Sequence, residues 1–421
     1  MESWILAVFL FLFALEFAVE FALNEINLRY VRARAREQKI PVCFDGQIDA
    51  ADYEKSVAYT LAKGRLARWS AIYGRGVLLT VLFSGLLGRL DRWAAELAGQ
   101  ISSIPYAHGI VFCLAVSLVF SLASLPTSLC SIFGVEAQFG FNKMTLGLYV
   151  ADKIKALSLA LVIGAPFLLV VLWLMDAMGR HWWLWTFVFI LAFELVMIVV
   201  YPTWIAPWFN KFQPLKEGEL RERIMALARQ LRFQASGIYV MDGSRRSAHS
   251  NAYFTGIGKS QRIVLFDTLI EQMTADQTVA VLAHEMGHYK MKHVQRMLVV
   301  QSALVLGGLY VLSRLLDYRP FFSAFGLVPS HHAALVLFSL LSDPATFYLG
   351  PLLHWLSRKH EYEADRFAAE TLGDARPMEE ALVHLTVKNL ANLTPHPWYS
   401  AYHYSHPTAI ERIDAIRRLA T

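Results

Sequence analysis

The sequence predicts an all-α polytopic membrane protein, with about seven transmembrane helices accompanied by a smaller α+β domain in the cytoplasm. The first observation is composition, because 56% of the 421 residues are hydrophobic and only 17% are charged. The second is distribution, because long apolar segments fill the first half of the chain and recur after a long polar stretch. Soluble domains usually carry more charge, about 25% of residues.

We predict a membrane span where an apolar segment is long enough to cross the bilayer core, which takes a helix of about 20 apolar residues. The predicted spans are residues 4–23, 69–87, 110–129, 156–175, 183–201, 298–312 and 333–353. Arg75 interrupts the second span and the sixth is short, so either could instead be a buried core helix. The first lacks a basic leader and a small-residue cleavage site, so we expect it to remain as an anchor.

Lysine and arginine residues orient the spans, because they concentrate on the cytoplasmic side. They cluster between Arg29 and Lys39 after the first span, and at Lys143, Lys153 and Lys155 after the third. The N-terminus is therefore expected outside. The predicted division is 1–203 for helices one to five, 204–296 for a cytoplasmic segment, 297–354 for helices six and seven, and 355–421 for a C-terminal cytoplasmic segment.

Charge and cysteine content argue against several functions. The net charge of +5 and the pI of about 9.0 fit basic flanks of membrane helices, and no nucleic-acid-binding motif is present. The cysteines have neither disulfide nor metal-site spacing; they are Cys43, Cys113 and Cys130. Acids within spans should pair, face water or serve a function; they are Glu16, Glu20, Glu194 and Asp343.

The segment 284–288, His-Glu-Met-Gly-His, predicts a zinc site with its own general base. Thr274 and Gln277 form a capping-box pattern upstream, and no helix breaker follows before the motif. His284 and His288 would thus share one helix face, with Glu285 beside them. The alternative is two surface histidines on an amphipathic helix.

A catalytic zinc usually takes three protein ligands, so a third is expected elsewhere. Glu361 is the best candidate, which makes the predicted domain gluzincin-like with one Zn²⁺ per chain. Asp365, four residues later, could accept the free ring N–H of His284. Alternatively, these acids form a solvated helix face with Lys359 and Arg366.

Two further segments complete the predicted site. Residues 238–241 read as a strand, and 253–257 and 262–266 flank a turn as a hairpin whose start, Asn251, Ala252 and Tyr253, could hold an extended substrate. His406 precedes a short predicted C-terminal helix, with Pro407 expected in its first turn and Arg412 one and a half turns further on. They could stabilise an oxyanion, or be a cap neighbour and a surface charge.

Together these segments resemble the integral-membrane zinc CAAX prenyl proteases of type I. The resemblance runs along nearly the whole chain, through residues 136–145, 209–215, 249–254, 262–269, 284–288, 361–365, 405–408 and 411–412. The shorter heat-shock membrane metalloproteases share only the zinc segments. The resemblance implies a barrel of seven helices around a water-filled chamber, capped by the catalytic domain.

The resemblance also implies roles for single residues. His284, His288 and Glu361 are expected to bind zinc, with Glu285 as general base and His406 and Arg412 as transition-state donors. The expected substrate is a peptide or prenylated protein.

Two other functions stay open: a quality-control protease of broad specificity, and a non-enzymatic carrier or scaffold with structural zinc. The chain ends without an endoplasmic-reticulum retrieval signal, so a bacterial inner membrane is expected, with the endoplasmic reticulum as alternative.

Overall fold

The computed structural model describes residues 2–37, 39–101, 104–233, 236–255 and 261–419, which form a mainly helical protein with one small sheet. The α-helices of these residues are α1 (Glu2–Arg36), α2 (Ala50–Phe83), α3 (Leu86–Ile101), α4 (Ala107–Ala123), α5 (Leu125–Leu129), α6 (Leu146–Leu159), α7 (Ala165–Ala177), α8 (Trp182–Val200), α9 (Ala206–Phe209), α10 (Glu219–Gln230), α11 (Asp267–Gln272), α12 (Ala275–Lys290), α13 (His293–Leu316), α14 (Pro320–Ser323), α15 (His331–Thr346), α16 (Gly350–Leu372), α17 (Arg376–Lys388), α18 (Pro397–His403) and α19 (Ala409–Arg417).

Five helical segments are long and apolar enough to cross a membrane: Trp4–Arg36, Leu146–Ala177, Gly179–Phe209, His293–Leu316 and His331–Leu372. Two bent pairs, α2 with α3 and α4 with α5, raise the number to seven if each counts as one span. All seven predicted segments fall within these helices. The predicted fold class, a polytopic helical membrane protein with a small α+β part, is confirmed.

The two doubtful spans have different physical explanations. The second lies in the α2–α3 pair, which bends by 62° around Gly85, whose φ is +71°. The sixth is α13, which has 24 residues because it extends towards the N-terminus beyond the apolar segment. The motif helix does not run into it, since α12 ends at Lys290 and Lys292 takes a left-handed φ of 59°.

Helices α1 and α2 pack side by side and pair their charges inside the apolar region. Arg75 donates a hydrogen bond to Glu16, and its guanidinium lies 5.0 Å from the ring centre of Phe17. Their side chains are only 17% and 9% exposed, so each charge depends on the other. The pair borders a cavity of about 450 Å³ that Asp343 also lines. Glu20 lies 3.4 Å from His403.

The sheet contains β1 (Phe212–Pro214), β2 (Gly237–Met241), β3 (Ala252–Thr255) and β4 (Arg262–Phe266) in the order β1-β2-β4-β3. Strands β2 and β4 are parallel, and the other pairs are antiparallel. The predicted hairpin corresponds to β3 and β4, while 256–260, the predicted turn and arm end, lie outside the described residues. Strand β3 ends the order, so its outer side pairs with no described strand.

Helix α12 is the centre of the buried core that includes the sheet. Its apolar residues join the sheet, α10, α17 and α19 in one buried cluster. On the opposite side α12 contacts α16 closely, because Gly287 has no side chain. A Cβ at this position would lie 3.1 Å from the Cα of Ala364.

The buried pair of Glu16 and Arg75 gives a stability prediction. Arg75→Met should leave a buried carboxylate without its partner, which costs about 3–5 kcal/mol, and should lower the Tm in detergent. Glu16→Gln combined with Arg75→Met should recover part of that loss. Arg221→Met, which breaks an exposed pair with Glu217, serves as control and should change little. An unchanged Tm in Arg75→Met would contradict the role of the pair.

Candidate active site

The two motif histidines lie on the buried face of α12. The capping box at its start is complete, with Thr274 and Gln277 bonded reciprocally at 3.2 Å. The helix then continues without a break through the motif, as the sequence predicts. The Nε2 atoms of His284 and His288 lie 3.1 Å apart. Both imidazoles can therefore present a nitrogen to one ion.

Helix α16 adds a carboxylate to this pair. Glu361 places Oε1 3.2 Å from His288 Nε2 and Oε2 3.5 Å from His284 Nε2. The side chain is 4% exposed, and its Oε2 atom has no hydrogen-bond partner among the described residues. A buried carboxylate oxygen without a donor, next to two imidazole nitrogens, fits a bound metal ion. His284, His288 and Glu361 can thus hold a divalent cation, with ligand atoms within 4.8 Å of one another.

Asp365, one turn after Glu361, contacts the other side of His284. Its Oδ1 lies 2.8 Å from His284 Nδ1, and its two oxygens accept hydrogen bonds of 2.6 and 2.8 Å from Arg412. Burial alone would raise the pKa of Asp365, but Arg412 and His284 hold it well below the usual range. The carboxylate therefore stays ionised and fixes which ring nitrogen of His284 faces Glu361.

Arg412 also acts on Glu361. Its Nη1 atom lies 3.3 Å from Glu361 Oε2. Burial opposes ionisation of Glu361, yet the hydrogen bond from His288 and the charge of Arg412 lower its pKa to about 2. Arg412 belongs to α19, which begins after a complete capping box at Thr408. Pro407 precedes this cap, so it lies outside the first turn in which it was expected.

Glu285 faces a cavity of about 190 Å³ beside the three-residue cluster. Burial raises the pKa of this carboxyl group, against the opposing effect of the two neighbouring histidines. His406 lines the same cavity, with Nε2 3.4 Å from Glu361 Oε1 and Nδ1 2.9 Å from Ser405 Oγ. The structure thus brings together the expected base and both expected donors.

The edge strand β3 reaches the same cavity at its start. Asn251 and Ala252 are among the lining residues. Tyr253 is not among them. Its hydroxyl lies 3.9 Å from Met241 Sδ and its ring packs near Phe266. The place of Tyr253 on the substrate-facing edge, with Asn251 and Ala252, stays a prediction.

The sequence prediction missed His293 and Glu363. His293 Nδ1 lies 3.0 Å from His288 Nδ1, and its Nε2 lies 3.0 Å from Glu363 Oε2. His293 and Glu363 therefore hold the His288 ring in position, as Asp365 holds the His284 ring. The signal was available, because Glu363 follows Glu361 by two residues and His293 follows His288 by five.

A wider cavity of about 790 Å³ adjoins the site. It shares four lining residues with the smaller cavity, namely Leu382, Leu385, His406 and Arg412. The groups of the candidate site therefore face a small cavity that continues into a wider one.

Comparisons with known proteins show which family this chain is similar to. A family model described as "CAAX prenyl protease N-terminal, five membrane helices" matches residues 30–211, and one described as "Peptidase family M48" matches 214–420. The CAAX prenyl protease 1 homolog of Oryza sativa subsp. japonica is 38% identical, covering 90% of each chain. CAAX prenyl protease 1 of Saccharomyces cerevisiae is 33% identical, covering 90% of this chain and 89% of its own.

The crystal structure of Ste24p from S. mikatae has a TM-score of 0.90 with this chain, 33% identity and 98% coverage of both chains. These relatives are eukaryotic and give no support to the expected bacterial inner membrane. The match to the described membrane helices and the structural likeness establish a multi-pass integral membrane protein. The chain belongs to the CAAX prenyl protease family of M48 metallopeptidases.

Proposed function

We propose that this protein is a zinc endopeptidase that removes the C-terminal tripeptide from prenylated CAAX proteins. One observation carries the proposal: a three-donor cluster, a carboxylate and a strand edge line the same cavity. The curated relatives are named CAAX prenyl proteases, which supports the substrate class. Residues 204–296 and 355–421 together form the proposed catalytic domain, which we place on the cytoplasmic side.

The proposed zinc ligands are His284, His288 and Glu361. Two imidazoles and one carboxylate are a common donor set for catalytic zinc and leave a position for substrate or water. Zinc supplies Lewis-acid chemistry there, polarising the scissile carbonyl and lowering the pKa of water. Asp365 and Arg412 keep His284 and Glu361 oriented and correctly charged.

Glu285 is the proposed general base. Its carboxylate takes a proton from the attacking water and returns it to the leaving amine. The imidazole of His406 faces the cavity and is the proposed donor to the oxyanion. Arg412 also borders the cavity, but its guanidinium already donates hydrogen bonds to Asp365.

Strand β3 is the proposed guide for the substrate backbone. An unpaired strand edge binds an extended peptide through main-chain hydrogen bonds, independent of its side chains. Asn251 and Ala252 bring this edge to Glu285 and the metal ligands. The adjoining cavity, with Leu382 and Leu385 in its wall, offers apolar volume beside the scissile bond for a lipidated cysteine.

The assignment of Glu285 predicts that Glu285→Gln retains its metal but loses turnover by at least about 10²-fold, since general-base catalysis contributes that much. The measurements are peptide cleavage and elemental analysis of the same preparation. Glu222→Gln, on the exposed face of α10, is the matched control and should stay active. Full activity in metal-bound Glu285→Gln would refute the assignment.

The ligand assignment predicts a different pattern for α16. Glu361→Gln should lower zinc occupancy after dialysis against a chelator, and Asp365→Asn should weaken zinc binding by about 10–100-fold through loss of support for His284. Zinc per chain is measured by elemental analysis. Glu370→Gln, an exposed position on the same helix, should retain wild-type zinc. Equal zinc content in all variants would rule out this ligand set.

The substrate class is tested with a fluorescence-quenched farnesylated CAAX peptide and its unprenylated twin. We expect chelator-sensitive cleavage by detergent-purified protein that favours the lipidated peptide, because the adjoining cavity offers the lipid an apolar wall. Equal cleavage of both would favour a quality-control protease. No cleavage despite bound zinc would favour a non-enzymatic protein.

A further inference from the structure

A second cluster of metal-ligating side chains lies outside the candidate active site. Asp91 on α3, His108 on α4 and His332 on α15 offer ligand atoms within 4.8 Å of one another. The Nε2 atoms of His108 and His332 lie 2.8 and 3.0 Å from the same oxygen, Oδ1 of Asp91. Two consecutive helices and a third that is distant in sequence therefore direct two imidazole nitrogens and one carboxylate to a single point.

This cluster lies far from the active site, as two helices show independently. His332 and Glu361 are near opposite ends of one continuous segment, His331–Leu372, which at ~1.5 Å per residue separates them by about 40 Å. Helix α13 begins beside the active site at His293 and ends at Leu316, which lines the cavity next to the cluster. The bilayer core is about 30 Å thick. The cluster therefore lies on the membrane face opposite the catalytic site.

The packing around the cluster fixes one imidazole in place. A Cβ on Gly109 would lie 3.0 Å from the Cβ of His332 and 3.2 Å from its Nδ1, so the ring packs closely against the backbone of α4. On another side the ring of Phe112 stands edge-on to His332, with centres 5.4 Å apart. The side chains of His332 and Asp91 are 13% and 18% exposed. These donors are held in position by the helices rather than spread over a mobile surface.

The donor set and its surroundings match a particular class of ligand. Two imidazoles and one carboxylate suit borderline divalent ions such as Zn²⁺, and are less suited to Mg²⁺ or Ca²⁺, which prefer oxygen. A cavity of about 490 Å³ opens beside the cluster, lined also by Tyr106, Asp317 and Ser330. This leaves space for water to complete the coordination of an ion.

We propose that Asp91, His108 and His332 form a second metal site, which binds one divalent transition-metal ion on the membrane face opposite the catalytic centre. The ion would cross-link α3, α4 and α15 at the ends of the bundle. Its binding replaces the imidazole–carboxylate contacts with bonds of about 2.0–2.2 Å. The proposal does not depend on the reaction at the first site.

The test separates the two sites by removing the catalytic ligands. Protein purified without a polyhistidine tag is equilibrated with micromolar zinc, desalted and measured by elemental analysis. We expect two zinc ions per chain in the wild type, one in His284→Ala/His288→Ala, and none when His332→Ala is added. His331→Ala in the double-variant background is the matched control, since His331 lines the cavity but lies outside the cluster; it should retain one zinc.

Loss of zinc from the His332 variant could also result from misfolding, so a second cluster residue, His108, is tested by thermal melting. Zinc should raise the Tm of His284→Ala/His288→Ala, and the added His108→Gln substitution should abolish this shift without changing the Tm in chelator by more than a few degrees. One zinc per wild-type chain with none in the double variant would overturn the proposal. So would a zinc ion in the double variant that survives both His332→Ala and His108→Gln.

Discussion

The contact between α12 and α16 is the constraint on which the active site depends. The two helices approach until a Cβ at Gly287 would lie 3.1 Å from the backbone of Ala364. Because His288 and Glu361 project from these helices, the distance between the helix axes directly sets the distance between their ligand atoms. A larger side chain at Gly287 would separate the donors even though it contacts none of them. The packing distance between α12 and α16 therefore determines whether His288 and Glu361 can bind the same metal ion.

That contact buries two carboxylates, and their charge has to be balanced. Glu361 and Asp365 are 4% and 2% exposed, and a buried anion without a partner is strongly destabilising. Arg412 forms ion pairs with both carboxylates. It comes from the C-terminal helix α19, whose residues Ile413 and Ile416 are fully buried in the core. The site is thus complete only when α19 has docked. Its chemistry is assembled from three segments, and each supplies what the others lack.

The sequence predicted what local chemistry determines. The capping box at Thr274 and the unbroken run to His288 predicted α12, and apolar length predicted the spans. What it missed depends on tertiary packing. The bend at Gly85 requires a positive φ. Glycine permits both signs of φ, so its presence in the sequence does not by itself predict the bend. The contact of Asp91 with His332 joins residues 241 positions apart and exists only because α3 and α15 meet. No sequence pattern records such a contact.

The distribution of polar groups connects the membrane helices with hydrolysis. Large apolar side chains such as Trp185 and Val188 of α8 are more than half exposed, as lipid contact requires. Charged groups such as Glu16 and Arg75 instead border internal cavities. Peptide hydrolysis needs water, whereas a prenylated substrate carries a lipid that water excludes. Helices that are apolar outside and polar inside allow both requirements to be met within one protein. We propose that such a fold brings water and a lipid-linked peptide bond together in the cavity beside Glu285.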